Sequence, residues 1–463
     1  MDTISVARVR VRDLFGIYSY DLPSADLFSN AVILYGDNGV GKSTLLRLVY
    51  HLLSSADNRG HRTALYKADF SLLEVGLSTG VSLTAKRIEE EELSYLRLDI
   101  EKDGEVMARW NYTKQRTERA IVDDGYIEWL INKDGSFKRG RKRKKVLTDD
   151  DGIPTGEKVY INTLSEHTPT MFMLNADRRL ESDTVSDPND EVELRRLMHF
   201  DTPSSISELV QRSREIGLTQ ALSSASKWIG KKAIIGTNQG STNVHSVYTD
   251  VVNRIVHPNI GKFIDNTGKE AVSLVDRLKE IEIKLKQHSR YQLATELSTK
   301  EFVYALEQEG EDKSKLAAEL LKPYVKSLES KLDAVEPIYK IIDDFVTAIN
   351  GFLNDKRVEF KLEKGFRVVN RFDDELEASQ LSSGEQQLLL LFCYVITARD
   401  KSSVFMIDEP EISLNIKWQR QLIKALLDIT KGSGIQFIFA SHSMELLAKH
   451  RNRVVPLENI QNG

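Results

Sequence analysis

The sequence predicts an α/β protein: a split, mixed and mainly parallel sheet, an antiparallel β subdomain, and an inserted helical or coiled-coil arm. Three observations predict it. From Glu385 onward strand-like and helix-like stretches alternate, as in a parallel sheet covered on both faces. Between Leu72 and Tyr112 short runs separated by polar turns read as antiparallel hairpins. Between roughly Ser204 and Leu353 apolar residues recur at steps of three and four. The expected limits are 1–203 for an N-terminal lobe, 204–353 for the arm and 354–463 for a C-terminal lobe.

Each element has its own signal. Val9 and Val11 alternate with Arg8, Arg10 and Arg12, Gly16 interrupts them, and the apolar strand Val32-Ile33-Leu34 runs into Gly36. Leu45, Leu46, Leu48, Leu52 and Leu53 give one face to a helix over Ser43–Leu53. Strands are expected at Leu72–Leu77, Val81–Arg87, Tyr95–Glu101, Val106–Tyr112 and Val159–Ile161. In the arm, Leu274, Leu278, Ile281 and Leu285 form one apolar seam. Leu321, Tyr324, Leu328, Leu332, Val335, Tyr339, Ile342 and Phe345 form another after a break at Gly310-Glu311-Asp312. Two helices joined by a short polar turn would make an antiparallel hairpin, with Pro337 kinking or restarting the second. A coiled coil and an ordinary helical pair both stay open, because the seam lasts only a few heptads. The C-terminal lobe reads as a helix from Glu385, strand Val404–Ile407, helix Ile416–Asp428, strand Ile435–Ala440 and a helix from Met444.

Composition narrows the class. The 463 residues are 41% hydrophobic and 29% charged, which excludes collagen-like and wholly disordered chains. The lone Cys393 cannot close an intramolecular disulfide, so a reducing, cytoplasmic setting is expected. The longest apolar run, Leu388–Ile396, is under half of the ~20 residues that span a bilayer. No membrane partner is expected. The net charge of −5, from 64 Lys and Arg against 69 Asp and Glu, neither requires nor forbids nucleic acid.

Gly36-Asp37-Asn38-Gly39-Val40-Gly41-Lys42-Ser43, followed by Thr44, matches the P-loop pattern and lies between a strand and a helix, as that pattern requires. Such a loop turns backbone N–H groups toward phosphate oxygens, and the helix N-terminus adds a favourable dipole. Lys42 would bridge the β- and γ-phosphates of ATP, and Ser43 would hold Mg²⁺. A P-loop needs a second strand bearing carboxylates. Val404-Phe405-Met406-Ile407-Asp408-Glu409 supplies one, with Asp408 for the metal and Glu409 to polarise the attacking water.

Leu381-Ser382-Ser383-Gly384-Glu385-Gln386-Gln387 resembles the signature motif of ABC-type P-loop ATPases. Asp408-Glu409-Pro410, Ser413-Leu414-Asn415 at the D-loop position, and His442 after the last long strand follow in that family's order. Asp-Glu-Pro-Glu-Ile-Ser-Leu-Asn and Ala-Ser-His-Ser look like the RecF, SMC and OLD branch, in which a helical arm interrupts the head. The resemblance implies head-to-tail dimers. In these Ser382, with Ser383, Gly384 and Glu385, reaches ATP held by the other copy, and His442 contacts the γ-phosphate. The Q-loop stays open between Gln115 and Asn175–Arg179, with Arg178 and Arg179 also readable as surface ion-pair residues.

OLD-type proteins carry a Toprim nuclease after the ATPase, and only Ser443–Gly463 follow His442 here. The chain is therefore expected not to cut nucleic acid itself. Its plan resembles the stand-alone ATPase subunits of two-gene anti-phage defence systems, the PARIS ATPases (AriA) first and the Septu ATPases (PtuA) next. That resemblance implies a separate nuclease effector and a phage trigger as partners, beside the chain's own copies. The alternative is a RecF- or SMC-like repair or chromosome ATPase that binds DNA directly. Lys138–Lys145, basic at every position but Gly140, is its best support. A solvated loop offset by Asp149–Asp151 is the preferred reading of that run, because no aromatic residue interleaves for base stacking. A transporter subunit fits poorly with so large a helical insertion.

Overall fold

Val9 and Val11 are buried and alternate with the more exposed Arg8, Arg10 and Arg12, and register irregularities at Val6–Arg8 and Val11–Leu14 accompany the burial of Val6 and Leu14 in the same core, so the first segment forms β1 (Val6–Leu14). The computed structural model describes residues 3–24, 27–56, 59–90, 93–113, 129–131, 137–139, 152–176, 180–182, 206–241, 267–307, 311–412, 414 and 416–460. The chain divides into two compact units, residues 1–210 with 398–463, and residues 211–397.

In the first unit β1 is followed by β2 (Tyr18–Leu22), β3 (Ala31–Tyr35), α1 (Lys42–Leu53), α2 (His61–Lys67), β4 (Leu72–Leu77), β5 (Val81–Glu90), β6 (Leu93–Lys102) and β7 (Glu105–Tyr112). After the two short strands β8 (Trp129–Ile131) and β9 (Phe137–Arg139) come α3 (Glu157–His167), β10 (Thr170–Leu174) and β11 (Leu180–Ser182). The strand expected at Val159–Ile161 is therefore helix. Its β-branched residues favour a strand, but the four-residue step from Tyr160 to Leu164 buries both completely on one helical face.

Six strands in the order β2-β1-β4-β5-β6-β7 form an antiparallel sheet. The second unit contributes α4 (Ile206–Ser241) from Gln211 onward, α5 (Thr267–Ser289), α6 (Lys300–Leu306), α7 (Glu311–Phe352), the antiparallel hairpin β12 (Lys356–Lys361) and β13 (Gly365–Asn370), and α8 (Ser383–Thr397). The chain then returns to the first unit as β14 (Ser403–Asp408), α9 (Ile416–Ile429), β15 (Ile435–Ser441), α10 (Met444–Lys449) and β16 (Val454–Pro456). A second sheet runs β11-β10-β14-β15-β3-β16, parallel throughout except for β11. This is the expected α/β architecture, with a mixed, mainly parallel sheet, an antiparallel β subdomain and a helical insertion. The register places Tyr35 beside Ser441 and Asp408 beside Ala440. The carboxyl ends of β3, β14 and β15 thus share one edge, where open parallel sheets bind ligands.

One core joins the two sheets through α1. Leu45, Leu46, Leu48, Val49, Leu52 and Leu53 cluster with Val9, Val75, Leu83 and Leu98 of one sheet and Val32, Met173, Met406 and Ile438 of the other. Each such side chain contributes about 1.5–3 kcal/mol of transfer free energy. The two sheets are also joined by Gln436, whose amide donates to Val6 O (2.8 Å) and Ser29 O (3.0 Å) and accepts from Val6 N (2.8 Å). Rings of Phe172, Phe405, Phe437 and Phe439 adjoin in series along the second sheet.

In the second unit the predicted seam is present: Leu274, Leu278, Ile281 and Leu285 of α5 pack with Val325 and Leu332 of α7. Its direction differs from the expected antiparallel hairpin. Arg277 meets Glu329 (2.5 Å), His288 meets Glu336 (2.9 Å) and Tyr291 meets Asp343 (2.7 Å), so partners ascend together and the helices run parallel. The physical reason is the connection. It is a return crossing that includes α6 and is tied to α5 by Thr299 N donating to Glu282 (3.3 Å), not a short turn. Nor does Pro337 restart the second helix: α7 is continuous through Pro323 and Pro337. An interior proline costs about 3 kcal/mol, and the burial of Val335, Ile338, Ile342 and Phe345 offsets it.

Among the described residues no helix is long and apolar enough to cross a membrane. Most of the basic run Lys138–Lys145 lies outside the described residues, as do Gln115, Arg178 and Arg179.

Candidate functional site

The P-loop leaves β3 and enters α1 through two glycines with left-handed backbone, Gly39 (φ 88°) and Gly41 (φ 89°). At Gly41 a side chain has no room either, since a Cβ would lie 2.8 Å from Leu14 Cδ2 and 3.2 Å from Phe15 Cε2. Asp37, Asn38 and Gly39 are exposed, and Gly36, Val40, Gly41, Ser43 and Thr44 are half-buried. Tyr20 braces the loop from below, its hydroxyl donating to Val40 O (2.9 Å). Lys42 is buried at 7% exposure and its Nζ donates to Gly36 O (2.6 Å) and Asp37 O (2.8 Å), so its charge lies across the loop.

Ser43 lies in the first turn of α1 and Asp408 ends β14, 365 positions apart in sequence, and Ser43 Oγ donates to Asp408 Oδ1 at 2.8 Å. Asp408 is only 1% exposed, and its second oxygen has no hydrogen-bond partner. Burial pushes this carboxyl above its ordinary value, and Glu409 and Glu411 act in the same direction, against the Ser43 hydrogen bond and the Arg47 charge. A buried carboxylate oxygen without a donor, beside a hydroxyl and a phosphate loop, is the donor set that Mg²⁺ takes when phosphates complete its oxygen shell. The residues fit the ion.

Glu409 follows in a left-handed conformation (φ 47°) that a non-glycine residue adopts at a cost of roughly 1–3 kcal/mol. Its N–H donates to Ala440 O (2.8 Å), and its Oε1 lies 3.8 Å from Nδ1 of His442. His442 stands at the end of β15 with its side chain 48% exposed. The edge shared by β3, β14 and β15 thereby brings Lys42, Ser43, Asp408, Glu409 and His442 into one neighbourhood. Of the expected D-loop, Leu414 is buried, while Ser413 and Asn415 lie outside the described residues.

In the second unit the signature-like segment opens α8. Ser382 and Ser383 are exposed and Gly384 is buried. Glu385 is occupied locally: Ser382 N donates to its carboxylate (2.7 Å), Glu385 N donates to Ser382 Oγ (3.4 Å), and Lys356 Nζ donates to the same carboxylate (2.8 Å). This is a capping box that frees Ser383 and Gly384 from holding the helix end. Burial acts to raise the Glu385 carboxyl, but the Lys356 and Ser382 hydrogen bonds hold it below its ordinary value.

Sequence reasoning passed over two residues here. Phe15 is 41% exposed, adopts φ 57° and places its ring edge beside Gly41. The signal available was one aromatic residue next to Gly16. Glu411 is buried at 8% exposure and accepts from Ser441 Oγ (2.8 Å) and His442 N (3.0 Å). Its only signal was a third acid after Asp408-Glu409-Pro410.

Residues 272–448 match a family model described as "AAA domain, putative AbiEii toxin, Type IV TA system". The chain is 34% identical over 80 residues to the spermidine/putrescine import ATP-binding protein PotA of Aster yellows witches'-broom phytoplasma, covering 17% of this chain and 18% of that protein. It is 32% identical over 106 residues to the molybdenum import ATP-binding protein ModC of Escherichia coli O6:K15:H31, covering 20% of this chain and 29% of that one. The match thus spans less than a third of either relative. An Smc head domain with an extended coiled coil from Pyrococcus furiosus aligns over 96% of this chain and 92% of its own, at 11% identity and a TM-score of 0.34. The sequence similarity is therefore to ABC-type ATP-binding proteins.

Proposed function

We propose that this protein is a Mg²⁺-dependent ATPase that forms nucleotide-sandwich dimers or larger oligomers and governs a separate nuclease effector in anti-phage defence. The observation that carries the catalytic part is the Ser43–Asp408 contact of 2.8 Å, with the second Asp408 oxygen buried and unpartnered. Ser43 and Asp408 would hold the metal, which would supply charge neutralisation for the phosphates. Lys42 exchanges its carbonyl partners for phosphate. Glu409, directly after β14 and with Oε1 3.8 Å from His442 Nδ1, orients and polarises the attacking water. His442 meets the γ-phosphate, and the Phe15 ring offers an apolar face for the base.

The dimer rests on the exposed Ser382 and Ser383 at a helix N-terminus, which suits them to a phosphate presented by a second copy. The effector role rests on analogy of architecture with ATPase subunits that act through a partner.

Purified protein is expected to hydrolyse ATP only with Mg²⁺, and Lys42→Ala to abolish the activity; full activity in that variant would refute the site. Glu409→Gln is expected to accumulate an ATP-bound dimer or larger species by light scattering, and an unchanged monomer would refute the sandwich. Co-purification of a nuclease encoded beside this gene, released on ATP hydrolysis, tests the effector role.

A further inference from the structure

The loop between β14 and α9 reaches across to the end of β15 and His442, and Glu411 makes the side-chain hydrogen bonds of that contact. Glu411 Oε1 accepts from Ser441 Oγ (2.8 Å) and His442 N (3.0 Å) and lies 3.3 Å from His442 Nδ1. Glu409 Oε1 faces the same ring nitrogen from 3.8 Å. We infer that Glu411 is a positioning residue for His442: it fixes the ring with Nδ1–H turned toward the carboxylates and Nε2 turned to the bound phosphate. This inference rests on the nucleotide reading proposed above.

An ionised carboxylate only accepts hydrogen bonds, so the nitrogen facing it carries the hydrogen and the other nitrogen is left for a ligand. To donate to a phosphate at Nε2 the ring takes up a second proton from solvent, and Glu411 and Glu409 supply the opposite charge for the ring that then donates on both sides. The ring is 48% exposed, so packing does not hold its pose and the carboxylate contact decides it. A loop cap alone does not explain Glu411. Its Oε2 is buried and has no hydrogen-bond partner, a cost of about 1–3 kcal/mol that a smaller neutral cap avoids. The loop also has separate anchors. Gln419 Nε2 donates to Leu414 O (2.9 Å), its Oε1 accepts from Ser443 Oγ (2.9 Å), and Arg420 pairs with Glu445 (2.7 Å).

The test uses the full chain and Glu411→Gln, whose amide oxygen can still accept from Ser441 and His442 N. Nitrogen-15 imidazole spectra, with the His442 signal identified by its loss in His442→Asn, are expected to show an Nδ1-protonated ring in the parent and a shift toward the Nε2 tautomer in Glu411→Gln. In ATP hydrolysis, Glu411→Gln is expected to lower kcat roughly 10- to 100-fold with KM within about twofold, as loss of an orienting partner does. In a His442→Ala background the same substitution is expected to change kcat less than about twofold, because the two residues act as one unit. An unchanged ring signal, or an equal loss in both backgrounds, overturns the inference. If Glu411→Gln fails to fold, Glu411→Asp, with the charge withdrawn by one methylene, is read the same way. A parent that does not hydrolyse ATP refutes the nucleotide reading, while the ring spectra still decide Glu411.

Discussion

Replacing Asp408 with Asn separates what this carboxylate costs the fold from what it does. In the folded chain Asp408 is 1% exposed, one oxygen accepts from Ser43 at 2.8 Å, and the other is buried without a donor. Leaving such a group unsatisfied costs about 1–3 kcal/mol, and more when it is charged. The direction of the titration agrees, because burial, with Glu409 and Glu411, raises the folded carboxyl above its ordinary value of 3.8. A carboxyl raised in the folded state binds more protons there than in the unfolded chain, so stability falls as pH rises through that window and the penalty is complete at neutral pH. Asn keeps the acceptor for Ser43 and removes the charge. We expect metal-free Asp408→Asn to be more stable than the parent by about 1–3 kcal/mol at pH 7 in urea denaturation, with the gap narrowing toward pH 4. The same variant should lose the stabilisation that Mg²⁺ and ATP give the parent, about 2.7 kcal/mol at a hundredfold excess over Kd. A variant less stable than the parent at pH 7, or one that keeps the full ligand shift, would refute the reasoning.

Three further outcomes follow from the same geometry. Gly41→Ala meets Leu14 Cδ2 at 2.8 Å, whereas Gly39→Ala meets nothing within 4 Å and carries only the left-handed backbone strain. Thermal denaturation should therefore rank Gly39→Ala near 1 kcal/mol and Gly41→Ala at roughly 2–3 kcal/mol of destabilisation, and equal losses would count against the close approach. Gln436→Leu leaves Val6 N, Val6 O and Ser29 O without their amide partner and should cost about 3–5 kcal/mol, read as a lowered urea midpoint with unchanged slope. Burial, with Arg62 and Arg47 beside His51 and with His51, Arg62 and Arg59 beside His61, holds these imidazoles down to about 4 and about 3. Unfolding charges both rings, so stability should be complete above pH 6.5 and fall as the solution is acidified, by up to about 1.4 kcal/mol per pH unit for each ring. A His51→Gln, His61→Gln double variant should flatten that slope.

Much of the head was legible because its signals are local. The P-loop, its flanking strand and helix, and the buried strand ending in Asp408-Glu409 each announce themselves within about ten residues, through glycine's conformational freedom and apolar periodicity. Val159–Ile161 misled for the same reason: three residues favour a strand, and only the burial of Tyr160 with Leu164 shows a helical face. The parallel run of α5 and α7 was invisible because heptad spacing shows which side of a helix is apolar and carries no direction. Arg277 with Glu329 and Tyr291 with Asp343 set the direction, across 52 positions each.

What the sequence by itself determined was the set of chemical groups: a loop of P-loop pattern, an acid pair at a strand end, serines at a helix start, and a histidine after a strand. Those are properties of short segments, fixed by backbone preference and residue chemistry. Tertiary structure alone decided which groups meet. Parallel pairing of β3, β14 and β15 carries Ser43 to Asp408 and Glu411 to His442 across 365 and 31 positions, and it buries one oxygen of each carboxylate without a partner. A buried charge acquires its cost, and its use, only when distant strands close around it.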